Sequence, residues 1–107
     1  PGEDVLVKHF PSSFRGTGLD ALLRSRGIES LVVAGMMTHM CVDTTVRAGF
    51  DLGWPMVVVS DACATRSLAF EGRSVEAGAV QAAYLAALDG TFAQVLPVAS
   101  ILDLIPA

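Results

Sequence analysis

An α/β architecture built on a parallel sheet is what this sequence of 107 residues predicts. Three observations carry that prediction. Short apolar runs alternate with longer stretches of helical period, the order strand, helix, strand, helix, strand, helix that right-handed βαβ units produce. The runs at 31–34 and 56–59 are apolar without alternation, as in strands covered on both faces. Gly27, Gly35, Gly53 and Pro55 stand where the period changes.

Val5-Leu6-Val7 reads as a first strand ending at Lys8. Thr17-Gly18-Leu19-Asp20 has the spacing of a capping box, in which hydroxyl and carboxylate satisfy free amides of the first turn. The helix it opens sets Leu19, Leu22 and Leu23 on one face and stops at Gly27. Leu31 to Ala34 is a second strand. A polar turn after Gly35 leads to a helix from about Cys41, with Val42, Thr45, Val46, Gly49 and Phe50 on one face, ended by Gly53 and Pro55. Met56 to Val59 is a third strand, closed by Ser60-Asp61. Ser74 caps a long alanine-rich helix to Leu88, striped by Val80, Tyr84 and Leu88. A short fourth strand at Gln94 to Leu96 and a helix near Ser100 to Leu104 complete the reading. No repeat, low-complexity segment or linker divides the chain, so residues 1–107 form one domain.

Composition excludes several classes of function. A hydrophobic share of 52% against 17% charged residues excludes a disordered chain. The formal charge is -4 and no block of basic residues occurs, so there is no footprint for nucleic acid. No apolar run approaches the ~18 residues of a membrane span, and residues 1–4 lack the layout of a signal peptide. Two cysteines do not make a disulfide scaffold. A reduced, cytoplasmic domain without a membrane partner is expected.

Ligands of open α/β sheets sit beyond the carboxyl ends of the strands, here at Lys8-His9, 35–41 and 61–65. Cys41 opens a helix after a buried strand, where the positive end of the helix dipole and free amides favour a thiolate. A small buried hydrophobe is the competing reading. Lys8 is the sole lysine among seven basic residues, and its ammonium would favour a charged sulfur nearby. Cys63, among small residues beside Asp61, reads as core packing. His39, two residues from Cys41, points away from it at a helix start. No CxxC, HxxxH or HExxH pattern supports a metal, and no GxGxxG or GxxxxGK supports a nucleotide.

The run Lys8-His9-Phe10-Pro11-Ser12-Ser13-Phe14-Arg15-Gly16-Thr17, the segment Val33-Ala34-Gly35-Met36-Met37-Thr38-His39-Met40-Cys41-Val42 and Val59-Ser60-Asp61-Ala62-Cys63-Ala64-Thr65 together resemble the isochorismatase-like cysteine hydrolase superfamily. The resemblance runs through essentially the whole chain, in order and spacing. It implies a three-layer α/β/α sandwich around a parallel, Rossmann-like sheet and an Asp–Lys–Cys triad, of which Lys8 and Cys41 take the last two roles. It further implies a non-proline cis peptide at Met36–Met37, an oxyanion hole from the amides of Met37 and Cys41, and substrate contacts from Phe10, Met36 and His39. The implied reaction is hydrolysis of an amide or carbamoyl C–N bond of a small molecule through a thioester. Members that cleave a vinyl ether often lack the cysteine, so Cys41 favours C–N cleavage. No cofactor is implied, and family members usually form dimers or tetramers.

In the family the triad carboxylate lies upstream of the lysine, near the end of the first sheet strand. By resemblance this chain therefore matches the family's carboxyl-terminal part, with two strands, the triad Asp and any metal ligands expected upstream of Pro1. Asp4 belongs at the opposite end of its strand, Asp43 faces away on the nucleophile helix, and Asp61 braces a loop. A catalytically impaired remnant that binds subunits or a small ligand is the alternative reading.

Overall fold

The computed structural model describes residues 2–104. Its elements are α1 (Leu19–Ser25), β1 (Leu31–Met36), a π-helical turn (Thr38–Val42), α2 (Asp43–Asp51), β2 (Met56–Ala64), β3 (Leu68–Phe70), β4 (Arg73–Val75), α3 (Ala77–Leu88), β5 (Gln94–Leu96) and α4 (Val98–Leu102). The parallel sheet runs β1-β2-β5, and β3 and β4 form a separate antiparallel hairpin. The fold is thus α/β with a parallel sheet, as the alternation of periods predicts.

Apolar burial organises these elements. Val42, Val46, Trp54, Met56, Val58 and Leu88 form the core cluster, with Phe14, Leu23, Val33, Leu85 and Phe92 packed against it. This joins the inner faces of α2 and α3 to β2. Gly49 permits the close approach, since a Cβ there would lie 2.9 Å from Met56 Sδ and 3.1 Å from the Phe14 ring. The stripe expected on α3 is present, with Val80 and Leu88 buried. Ile101 of α4, an element in contact with β2, is buried outside the cluster, as is Val59.

The pairing of β1 with β2 shifts register where the site lies. Leu31, Val32 and Val33 pair in step with Met56, Val57 and Val58, but Gly35 then pairs with Cys63. More residues of β2 than of β1 are spent over that step. Gly35 has φ 144°, a conformation that favours glycine. The irregularity carries β2 through Ser60–Ala64, a small and polar stretch outside the predicted strand.

Several expectations need correction. Residues 5–7 join no sheet, and Val5 and Val7 are 88% and 74% exposed. A strand requires a ladder partner for its backbone groups, and this segment has none among the described residues. Among the described residues β1 is covered on one face only, because Val33 packs on the core while Val32 is exposed. The capping box does not form. Gly18, in the left-handed region, precedes α1, while Asp20 turns its carboxylate to Trp54 Nε1 at 2.7 Å. Thr17 Oγ1 still accepts the Leu19 amide, at 3.2 Å. Gly27, at φ 67°, follows α1 as predicted. Ser74 does not cap α3; it lies in β4, and Glu76 precedes the helix without a side-chain cap. The last helix begins at Val98 rather than near Ser100, because Asp61 Oδ1 accepts the Val98 amide at 2.9 Å and sets its first turn.

Candidate active site

Cys41 lies in the π-helical turn rather than at the first residue of an α-helix. The turn forms around Met37, whose carbonyl accepts the amides of Met40 (3.0 Å) and Val42 (3.2 Å). The Met36–Met37 peptide that leads into it is cis. Thr38 is fully buried, and its hydroxyl donates to Gln81 Oε1 of α3 at 2.6 Å. Gln81 Nε2 in turn donates to the Cys63 carbonyl at 3.0 Å. One side chain thereby ties the start of the turn to the end of β2.

Lys8 reaches this turn from the loop before α1. Its Nζ lies 2.9 Å from the Phe10 carbonyl, 3.3 Å from the Pro11 carbonyl and 3.3 Å from Cys41 Sγ. An ammonium has three protons and no acceptor, so these three contacts use all of them. The sulfur in the third position meets a full positive charge.

Lys8, Ser13, Gly35, Met36, Cys41 and Thr45, with Val33, Ala34 and Val42, line a cleft of about 180 Å³. None of these lining residues is a carboxylate. Asp4 pairs with Arg26, Asp43 with Arg47 at 3.0 Å, and Asp61 with the Val98 amide. Among the described residues no group of three His, Cys, Asp or Glu side chains could hold a metal ion.

The structure brings Lys8, Cys41 and Met36 together at this cleft, but not all the residues singled out from the sequence. His39 Nδ1 sits 2.7 Å from Thr65 Oγ1, and its ring meets Tyr84 edge-on at 5.9 Å. The Phe10 ring lies under the Arg15 guanidinium at 3.7 Å, and only the Phe10 carbonyl reaches the lysine. Neither side chain is part of the cleft lining. Cys63 packs against the core, and burial pushes its thiol up from the ordinary value although the Gly35 backbone N–H opposes this. Both cysteines are free.

Sequence reasoning missed Ser13, Thr45 and Gln81. Thr45 follows Cys41 by one turn, so the spacing put both on one side of the helix, yet its place on an apolar stripe read as packing. Gln81 and Tyr84 are the two polar side chains of an otherwise apolar α3.

Comparison with known proteins places this geometry in context. The isochorismatase domain matches residues 1–98. An uncharacterised isochorismatase family protein of Bacillus subtilis, YddQ, is 48% identical over 93 residues, which cover 87% of this chain and 52% of that protein. The ureidoacrylate amidohydrolase RutB of Enterobacter is 50% identical over 62 residues, 58% of this chain and 27% of the enzyme. A cysteine hydrolase from Pseudomonas syringae superimposes with a TM-score of 0.90 at 31% identity, covering 96% of this chain and 49% of that one. An isochorismatase from Pseudomonas putida does so at 0.89 and 39%, covering 92% and 51%. The chain therefore spans about half the length of YddQ and of these two solved structures. A domain match over nearly all of its length, joined to close superposition on solved members, means that this chain belongs to the isochorismatase family.

Proposed function

We propose that the chain provides the cysteine–lysine half of a hydrolase site that cleaves the C–N bond of a small amide or carbamoyl compound. The observation that carries this reading is the Lys8 ammonium 3.3 Å from Cys41 Sγ at the mouth of a cleft. The cleft is small beside typical ligand pockets of ~300–1,000 Å³, which suits a compact substrate. Similarity to a cysteine hydrolase supports the cysteine chemistry, and similarity over 62 residues to a ureidoacrylate amidohydrolase supports the bond type.

In this reading the Cys41 thiolate, held by Lys8, attacks the acyl carbon. The amides of Met37 and Cys41 receive the oxyanion. The C–N bond breaks, the nitrogen takes a proton and departs as ammonia or an amine, and a thioester remains on Cys41. Water adds to the thioester, the acid leaves, and the thiol is restored. Proton transfer to nitrogen and from water falls to a carboxylate outside the cleft lining. Met36 contributes to the substrate wall. The substrate contacts expected of His39 and Phe10 are not carried into this reading, because their side chains engage Thr65, Tyr84 and Arg15 outside the cleft lining.

The same reading includes a homo-oligomer, dimer or tetramer, for which exposed Phe70 and Val32 offer apolar surface. The two free thiols suit a reducing, cytoplasmic setting. No helix among the described residues is long and apolar enough to cross a membrane.

Ammonia release from a panel of small amides, carbamates and ureides tests the reaction. Wild type is expected to turn over at least one of them, and Cys41→Ala to fall to background. Equal rates for the two proteins would sink the hydrolase reading. They would favour a ligand-binding remnant, which the carboxylate-free cleft supports.

A further inference from the structure

Lys8 has a long flexible stem and is exposed. A solvated ammonium of this kind stays against one sulfur only if its other acceptors are themselves fixed. Those acceptors are the carbonyls of Phe10 and Pro11, so what holds residues 10–13 decides where the charge sits. Ser12 is buried and its hydroxyl accepts the Phe14 amide at 3.1 Å, which stiffens the loop internally. Phe14 packs beside Gly49 of α2, but among the described residues the hydrogen bonds from residues 10–13 to α2 all go to a single side chain. Thr45 Oγ1 accepts the Ser13 amide at 2.9 Å, and its own proton has Ser13 Oγ at 3.3 Å and the Pro11 carbonyl at 3.5 Å within reach.

From this geometry we infer that Thr45 is a positioning residue, which acts on Cys41 by fixing the loop whose carbonyls hold the Lys8 ammonium. The inference rests on the cysteine–lysine reading above. Thr45 stands four residues after Cys41, so the helical run that carries the sulfur also clamps the loop that aims the charge. The circuit closes through Cys41 Sγ, Lys8 Nζ, the Pro11 carbonyl and Thr45 Oγ1. Without the hydroxyl the Ser13 amide loses its acceptor, the carbonyls drift, and the ammonium follows them into solvent.

Alkylation by iodoacetamide, read separately at Cys41 and Cys63 by peptide mass spectrometry, tests this without a known substrate. Thr45→Val preserves volume and removes the hydroxyl, whereas Thr45→Ser keeps it. At about pH 6.5, where a thiolate's share limits the rate, Thr45→Val is expected to slow Cys41 by about threefold or more, with Thr45→Ser within about twofold of wild type. Added to Lys8→Met, Thr45→Val should change nothing further, because residues acting through one partner are not additive. Equal slowing in both backgrounds, or an unchanged rate in Thr45→Val, overturns the inference. If Lys8→Met itself leaves Cys41 unaffected, the cysteine–lysine reading fails and takes this one with it. If Lys8→Met slows Cys41 and Thr45→Val does not, only the role of Thr45 falls. Should Thr45→Val not fold, which a Cys63 as reactive as a free thiol would reveal, Thr45→Ala replaces it under the same criteria.

Discussion

Replacing Lys8 with methionine removes a charge while keeping an unbranched side chain of similar reach, and its consequence for Cys41 can be worked from one distance. Opposite unit charges 3.3 Å apart attract by about 1.3 kcal/mol even at the dielectric constant of bulk water. That is the conservative limit, and it is the appropriate one because Lys8 is exposed. A free energy of this size corresponds to about a tenfold change in the rate of a step that depends on that attraction. Iodoacetamide consumes only the thiolate, so Lys8→Met should alkylate at Cys41 about tenfold more slowly at pH ~6.5. The contact is shorter than the ~10 Å screening length at 0.1 M salt, so most of the effect should persist at physiological ionic strength. In alkaline solution, where thiols ionise unaided, the two rates should converge. Cys63 is the internal reference, since burial raises its thiol and it should lag behind Cys41 in wild type. Three results would refute the reasoning: wild-type reactivity in Lys8→Met, a deficit that stays constant at every pH, or a Cys63 as reactive as Cys41 near neutrality. The second would mean that access to the sulfur had changed and not its charge.

Other consequences are open to equilibrium measurement. Leu88 is fully buried in the core cluster, so Leu88→Ala should cost about 3 kcal/mol. In urea this lowers the transition midpoint with little change in slope, and a loss under ~1 kcal/mol would show the site to be collapsible. Gln81→Leu leaves the buried Thr38 hydroxyl without its acceptor and should destabilise by about 1–3 kcal/mol, again read from denaturant midpoints. The Trp54 indole N–H, and beside it Arg24, hold the Asp20 carboxyl below its ordinary 3.8. A lowered folded-state value stabilises the fold above the unfolded value and is lost as pH falls through the folded one. The stability gap between wild type and Asp20→Asn should therefore be full near pH ~7 and shrink on acidification below 3.8. A gap independent of pH, followed by Trp54 fluorescence, would contradict this.

How much of the fold could be read in advance depends on whether the signal was local. The apolar runs that became β1 and β2, the α3 stripe and the span of β5 are patterns of burial, and burial is written in the residues themselves. Residues 5–7 carry the same β-branched pattern and yet form no strand, because pattern encodes a wish for burial and cannot name the neighbour that supplies the hydrogen bonds. Ser74 misled for a related reason. It looks like an N-cap, but the chain makes a tight hairpin turn at Glu71-Gly72, both at positive φ (50° and 76°). Glycine at the second position is the usual signal for such a turn, whereas glutamate at the first is not among the favoured residues. The helix consequently begins after the hairpin, at Ala77.

The candidate site divides along the same line. Cys41 was legible because the carboxyl ends of parallel strands are where such folds gather ligands, whereas Lys8 stood out only as the sole lysine, since the strand expected before it does not form. Thr45 and Gln81 were not legible. Each is a polar side chain inside an apolar stripe, and its meaning is set by partners far away in sequence: Ser13 for Thr45, Thr38 and Cys63 for Gln81. His39 shows the converse, since a residue type suited to chemistry spends its Nδ1 on Thr65 and meets Tyr84 edge-on. Reactive groups can thus be guessed from type and position, whereas the groups that aim them become visible only when the chain closes on itself. In this protein those aiming contacts converge on one short turn, with Gln81 fixing its first residue through Thr38 and Thr45 standing just beyond its last. The reactivity of Cys41 should therefore respond to changes in α3 and in the loop before α1 as readily as to changes beside the sulfur.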